Sequence, residues 1–425
     1  MRLYNTLTRQ VDELPEPPGP IRMYVCGPTV YARAHVGNAR PYVVGIWMRN
    51  WLRRRGYEAT LVHNITDIND KIYEAAPGAS AELAARATGW YLEDTADLGL
   101  GAPDFLPKAT ESVPQIIRFI GELIERGFAY AVGGDVYFRV ARYPEYGQLS
   151  RQRSDQVEEQ EPNPVKDDPR DFALWKANKP DEDTWWESPW GQGRPGWHIE
   201  CSVMAEEIFG PAFEIHGGGL DLVFPHHENE LAQSRALGHD FARLWMHNGM
   251  LEFTGEKMSK SAGNVVTLRQ AIDEWGRATL LLLFLGSHWR KPMDFSEETL
   301  LQATAQVEAF RDALINGPPD QEPLESERLV DVLDDDFNTA RALALLHDWR
   351  SRGCGGDLRE GLACFGLASL AEQDVPPPRA VELAERRRHA RVNKNWEESD
   401  RLRDEIASLG WLVRDTPNGY QLFHR

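Results

Sequence analysis

Apolar positions first cluster at residues 21–25, a short strand that the Gly27-Pro28 pair ends. Val43, Val44, Trp47, Met48, Trp51 and Leu52 then recur at helical spacing, and three arginines and Gly56 close that helix. Residues 58–65 return to a strand pattern. Strand, helix and strand make a βαβ start and predict a parallel sheet. Helical periodicity runs through 81–98 and 113–126. From 129 to 189 it breaks down. Asp135-Val136-Tyr137-Phe138 predicts an edge strand, Tyr146-Gly147-Gln148-Leu149-Ser150 a turn, and the charged, proline-containing stretch 151–170 no regular element. This region is expected to be an insertion that interrupts the sheet.

The sheet resumes after it. Residues 197–208 predict a helix, Phe213-Glu214-Ile215-His216 a strand ended by Gly217, Gly218 and Gly219, Pro225 a helix start, and 244–250 another strand. Helices dominate from 266, including 298–314 and 338–350, with a break at Gly317-Pro318-Pro319. Pro376-Pro377-Pro378 predicts a linker to a compact terminal module. Its second helix carries Leu402, Ile406 and Leu409, and 411–413 is expected to pair with 421–423 as a hairpin around Pro417-Asn418-Gly419.

The chain has 425 residues, enough for two to four domains with buried cores. The longest apolar run, 278–285, is too short to span a bilayer, and the first residues carry no apolar signal core, so a cytoplasmic protein with no membrane partner is expected. Four scattered cysteines exclude a disulfide framework. The net charge of −19 argues against nucleic acid as a partner of the whole surface. It is unevenly spread: residues 379–425 hold ten Lys and Arg against eight Asp and Glu. A confined RNA contact is compatible with that locally basic piece.

His35-Val36-Gly37-Asn38 stands where the first strand's carboxyl end hands over to a helix amino end. In open parallel sheets ligands bind at that crevice, and free helix N–H groups favour phosphate. Gly37 would let a nucleotide lie on its backbone; a histidine that merely caps its own helix is the alternative. Asp67 and Asp70 end the second strand on the same side, as ligand-facing groups or as helix caps. His226 and Glu230 stand four apart on a predicted helix and share a face. With Cys26 and Cys201 they make a thiolate, thiolate, imidazole and carboxylate set suited to zinc, although each alone is compatible with an ordinary buried cysteine or surface pair. Ligands gathered from three distant segments suggest a metal facing a substrate. Lys257-Met258-Ser259-Lys260-Ser261 puts two ammonium groups on a polar loop that could neutralise charge on a departing pyrophosphate.

His35-Val36-Gly37-Asn38 together with Lys257-Met258-Ser259-Lys260-Ser261 resembles the paired signatures of class I aminoacyl-tRNA synthetases. Cys26, Cys201, His226 and Glu230, in the settings Met-Tyr-Val-Cys-Gly-Pro-Thr, Gly-Trp-His-Ile-Glu-Cys-Ser and Phe-Pro-His-His-Glu-Asn-Glu, resemble the cysteinyl-tRNA synthetase family. The likeness continues through Asn64-Ile65-Thr66-Asp67, Asp171-Phe172-Ala173-Leu174-Trp175-Lys176, His247-Asn248-Gly249-Met250, Asp336-Phe337-Asn338-Thr339 and Asp415-Thr416-Pro417-Asn418-Gly419, nearly the whole chain. Asn38 replaces the signature's usual second histidine, and Leu422 stands where the family leads one to expect tryptophan.

The resemblance implies an α/β fold: a Rossmann-like parallel-sheet catalytic domain (1–112 and 191–265) with an insertion (113–190), a helical bundle (266–372) and a C-terminal anticodon-binding module (379–425). It implies activation of L-cysteine by Mg-ATP and transfer of the cysteinyl group to tRNA(Cys), by a monomer holding one zinc. His35, Asn38, Lys257 and Lys260 would be catalytic, with Gly37 and Gly217 to Gly219 also meeting ATP. Thr66 and Trp197 would pack the amino acid. Arg391, Trp396, Asp400 and Asp415 would face tRNA, with Arg386, Arg387 and Arg388 adding a basic strip; Trp396 as a core residue between two helices is the alternative. Two rivals share most of these motifs: a ligase joining activated cysteine to an amino sugar, and a catalytically silent paralogue. The terminal module disfavours the first, and Lys257, Lys260 and His35 the second.

Overall fold

The computed structural model describes residues 1–152, 162–253, 256–257, 266–317, 325–372, 376–416 and 419–424. Four parallel strands, β1 (Pro20–Val25), β2 (Glu58–His63), β3 (Ala212–Gly219) and β4 (Phe241–Asn248), form the central sheet in the order β4-β3-β1-β2. Helix α1 (Val36–Arg54) joins β1 to β2, and its Val43, Val44, Trp47, Met48, Trp51 and Leu52 are all buried, as their spacing predicts. At about 1.5–3 kcal/mol per large apolar side chain, that face docks the helix firmly. The chain leaves β1 toward β2 on one side and returns as β3 on the other. The carboxyl ends of β1 and β3 therefore flank a topological switch point, where a crevice opens.

The insertion is a four-stranded antiparallel sheet: Ala129–Val132, Asp135–Phe138, Phe172–Ala177 and Gly193–Pro195. Asp135–Phe138 is not an edge strand; it lies between two neighbours, and Val136, Tyr137 and Phe138 are buried. The fourth strand extends past residue 190, so the sheet ends immediately before α2 (Trp197–Phe209). Pro225 starts a helical turn, after the extended Phe224, that runs on without a break into helix α3 (Glu228–Ala236). A short N-terminal hairpin, Arg2–Asn5 with Gln10–Glu13, has no clear signal in the sequence pattern.

Helices from Leu268–Trp275 to Gly355–Cys364 follow the sheet, and their Leu280, Leu282, Phe284 and Phe365 share one continuous core with α1. The terminal module keeps its own small core of Leu383, Leu402, Ile406 and Trp411 under two helices, Pro378–Val392 and Trp396–Ser408, and a hairpin, Trp411–Thr416 with Gly419–His424. Leu409 ends the second helix and is exposed rather than part of that core. Among the described residues no helix is long and apolar enough to cross a membrane.

Candidate active site

Three segments converge at the base of the crevice. Cys26 follows β1 directly, its amide bonded to the Gly217 carbonyl of β3. Cys201 lies on α2, and His226, His227 and Glu230 on the turn and helix after β3. The Cys26 sulfur stands 3.7 Å from the Cys201 sulfur, 3.7 Å from His226 Nε2, 3.3 Å from His227 Nε2 and 3.9 Å from Glu230 Oε1. His226 Nε2 is 3.0 Å from Glu230 Oε1, so the predicted four-residue spacing does align these groups. Tetrahedral ligands of zinc at 2.0–2.3 Å stand roughly 3.3–3.8 Å apart, and these separations are of that size. Ligand atoms of Cys26, His226, His227 and Glu230 all lie within 4.8 Å of one another, and Cys201 adjoins the group through Cys26. His227 is the member that the sequence did not single out.

The electrostatics favour a cation. All five residues are buried. Burial pushes the Cys26 thiol well up, with Cys201 and Glu230 adding to it, and burial likewise raises the Glu230 carboxyl well above the usual carboxylate range. Burial drives His226 and His227 well below the ordinary imidazole value, helped by neighbouring histidines. Neutral imidazoles beside groups that ionise only against a positive charge make a set suited to Zn²⁺. A further shell orients them. His216 Nε2 bonds Glu230 Oε2 at 2.8 Å, His198 Nδ1 meets His226 Nδ1 at 3.0 Å, and Trp197 stacks on His226 with ring centroids 4.2 Å apart. His227 Nδ1 meets His247 Nε2 at 2.7 Å, and His247 Nδ1 meets the Thr6 hydroxyl at 2.8 Å. Such outer partners fix tautomers around a metal.

Above this base opens a cavity of about 290 Å³, walled by the Cys26 to Ala34 turn, His35, Asn38, Trp197 and the Gly249 to Leu251 segment. The turn is closed by Gly27, whose amide donates to Asn64 Oδ1 at 2.9 Å; a Cβ there would lie 1.7 Å from the Asn64 carbonyl oxygen. His35 precedes α1 as its cap residue, and Asn38 Oδ1 accepts from the His35 amide at 3.2 Å. The space over Gly37 is met first by the His35 ring, 2.9 Å from where a Cβ would stand. The three glycines do not end β3. The strand runs through them, Gly217 packs on Val25, Gly218 on His227, and only Gly219 reaches the cavity wall. Thr66 is buried, its backbone bridged to Thr29 of the wall. Neither Asp67 nor Asp70 caps a helix: Asn69 does, while Asp67 accepts from Thr110 and Asp70 pairs with Lys176 and Arg194. His63 and Tyr91, unremarked in the sequence, also line the cavity.

The exit of the lysine-bearing segment is stitched to this wall. His35 bridges to Thr267, and the Val36 amide donates to the Val266 carbonyl at 2.9 Å. Lys257 pairs through its backbone with Glu252. Its side chain, Lys260 and the rest of the loop lie outside the described residues.

In the terminal module Trp396 is 54% exposed, not core, with the Arg391 guanidinium 5.3 Å from its ring centroid. Asp415 accepts two bonds from Arg387, at 2.8 and 3.1 Å, and pairs with Arg391 at 3.2 Å. Asp400 is exposed and meets Arg403 at 3.4 Å. The three consecutive arginines do not form one strip, because Arg387 is buried while Arg386 and Arg388 pair with Glu398 and Glu385.

Known proteins resemble this chain over nearly its whole length. The tRNA synthetases class I (C) catalytic domain family matches residues 14–305, and the cysteinyl-tRNA ligase anticodon binding domain family matches 376–422. A cysteine–tRNA ligase of Pseudothermotoga lettingae is 42% identical over 457 residues, covering 99% of this chain and 98% of the relative. One from Thermotoga maritima is 42% identical over 455 residues, covering 99% of each. Among solved structures, Mycobacterium tuberculosis methionyl-tRNA synthetase in complex with methionyl-adenylate superposes with a TM-score of 0.55 at 15% identity, covering 87% of this chain and 84% of that one, which is a likeness of fold.

Proposed function

This chain belongs to the cysteinyl-tRNA synthetase family, and we propose that its crevice activates L-cysteine with ATP and passes the cysteinyl group to the 3′ end of tRNA(Cys). The observation that carries the reading is the buried convergence of two thiols, an imidazole and a carboxylate beneath the His35–Asn38 turn. Cys26, Cys201, His226 and Glu230 would hold zinc. His227 would donate to the Cys26 thiolate, its other nitrogen accepting from His247 and that histidine in turn from Thr6, so every donor in the row points at the sulfur. Zinc held there supplies a charge that keeps a substrate thiol as thiolate, which a serine hydroxyl cannot match.

The chain's own groups then position. Trp197, stacked on His226 at the cavity wall, packs against the bound amino acid, with Thr66 behind the facing turn. His35 and Asn38, at the positive end of the α1 dipole, take the triphosphate. Attack of the cysteine carboxylate on the α-phosphorus expels pyrophosphate, whose charge Lys257 and Lys260 neutralise. The adenylate then yields its acyl group to the tRNA ribose hydroxyl, releasing AMP. Orientation and electrostatics suffice, with no protein nucleophile. Arg391, Trp396, Asp400 and Asp415 serve the anticodon end. A monomer acting in the cytoplasm belongs to the same reading. The anticodon-binding match at 376–422 favours it over an amino-sugar ligase, which has no use for such a module.

The test is cysteine-dependent exchange of pyrophosphate into ATP, run beside metal analysis. The wild type should exchange and hold one zinc. Cys201→Ser and His226→Ala should lose both zinc and exchange, and Glu230→Gln should be milder, since an amide still offers an oxygen. A zinc-free wild type, or full exchange in a zinc-free variant, overturns the reading.

A further inference from the structure

Arg40 is a buried cation, 1% exposed, one turn into α1 and two residues past Asn38. Its guanidinium meets only carbonyls. Nη1 donates to the Gly249 oxygen at 2.6 Å and the Lys291 oxygen at 2.8 Å, and Nη2 to the His288 oxygen at 3.1 Å. Among the described residues no carboxylate pairs with it, and burial pushes it down to about 10. An uncompensated buried charge is costly to keep, so its reach to three carbonyls on two segments calls for a reason beyond packing.

Those two segments meet under the nucleotide side of the cavity. Gly249, Met250 and Leu251 form part of the cavity wall and lead into the Leu251–Phe253 strand, which pairs with Glu256–Lys257. The 288–293 segment clasps them from behind: the Gly249 amide donates to the Trp289 carbonyl at 2.8 Å and the Met293 amide to the Met250 carbonyl at 3.0 Å. The fit is close enough that a Cβ on Gly249 would lie 2.0 Å from the Lys291 oxygen. The clasp is itself held from the helical half. Asp336 takes Arg290 through Nε at 2.8 Å and through Nη2, stands 3.5 Å from His288 Nε2, and gives its own carbonyl to the Trp289 indole at 2.8 Å. Asp336 and Phe337 both adopt positive φ, +59° and +44°, a strained turn that the surrounding contacts impose.

We propose that Arg40 is a positioning residue for ATP, which fixes the Gly249–Met250 backbone and the root of the lysine-bearing strand against the His35–Asn38 helix, and that Asp336 acts through the same clasp from the helical domain. This rests on the crevice being the ATP site. It gives the Asp336-Phe337 motif a task in catalysis although neither residue lines the cavity.

The test compares Arg40→Met, Arg40→Lys and Asp336→Asn in the full chain. Asparagine tolerates the positive φ of residue 336, so that variant removes charge without adding backbone strain. Displacing cavity-wall groups by about 1 Å costs on the order of tenfold to a hundredfold. Arg40→Met should raise the ATP KM by that factor while the cysteine KM and zinc content stay at wild-type values. Arg40→Lys should recover part of the loss, and Asp336→Asn should show the same split more weakly. Amide hydrogen exchange should quicken at 249–253 and 288–294 while β1 to β4 keep their protection. ATP and cysteine KM rising together, protection falling across the whole sheet, or no change in ATP KM would each overturn the proposal. A wild type without cysteine-dependent exchange would instead overturn the functional reading beneath it.

Discussion

His63 ends β2 inside the cavity wall and is buried between two partners. Its Nδ1 donates to the Val25 carbonyl at 3.0 Å, which leaves Nε2 to accept the Tyr91 hydroxyl at 2.6 Å. The second bond needs the neutral ring, because protonation would aim an N–H at the phenol oxygen that donates to it. Burial pushes this imidazole down to about 4, only partly offset by the Val25 carbonyl. The unfolded value is near 6.5, so folding favours the neutral form. The stabilisation is complete above that value and is lost as pH falls toward 4. Between pH 7.5 and pH 5 the loss is about 2 kcal/mol. His198, His216 and His247, each pushed down by burial to about 3, lose stability over the same range. His63→Gln removes only the one titration, and an amide still offers a donor and an acceptor. Equilibrium denaturation at the two pH values should therefore show the variant losing about 2 kcal/mol less than wild type. The imidazole carbon shift of His63, followed by NMR, should stay neutral down to pH 5. Titration near 6.5, or equal losses in both proteins, would refute the reasoning.

Lys260→Ala should slow adenylate formation while leaving cysteine affinity nearly unchanged, because its contact with departing pyrophosphate forms mainly in the transition state; single-turnover kinetics with cysteine titration check this. In the terminal module, Trp396→Ala should raise the tRNA KM without shifting the module's unfolding midpoint, since an exposed side chain contributes little to packing. Asp415→Ala should instead cost ~1–3 kcal/mol of module stability, because it strands the buried Arg387; thermal unfolding beside aminoacylation separates the two effects.

What the sequence made legible is what local periodicity controls. The β1 strand, its Gly27 turn and α1 follow from apolar spacing and one obligatory glycine, and His226 with Glu230 follows from the helical repeat. Groups whose role depends on chain-distant partners stayed hidden. His63, His216 and His247 sit in strands, where alternation marks them only as inward positions, and the family likeness that includes His247 assigns it no role. Their partners, Tyr91, Glu230 and His227, lie 14 to 28 residues away. Asp67 and Asp70 are open in the sequence as ligand-facing groups or caps because both roles share one local signature with a tertiary acceptor, and only Thr110, Lys176 and Arg194 show which groups they meet. The lysine loop is the converse case: its motif is plain in the sequence, while its described part is a two-residue strand on Leu251–Phe253.

The arginine triplet teaches the opposite lesson, because the sequence already held the answer. Consecutive helical residues point about 100° apart, so Arg386, Arg387 and Arg388 never share a face. Arg387 falls four residues after Leu383 and three before Ala390, on the buried stripe, and its charge is met by Asp415 across the module. Arg386 and Arg388 are answered by Glu398 and Glu385. Ion pairs within the module thus engage these arginines without changing its small net positive charge, and a phosphate there would compete with those carboxylates. Trp396 is exposed as well, with the Arg391 guanidinium over its ring, a flat polarised face of the kind on which unstacked bases settle. In the proposed reading the module therefore adds stacking and edge contacts at Trp396 and Arg391 to its local positive charge, within a chain whose net charge is −19.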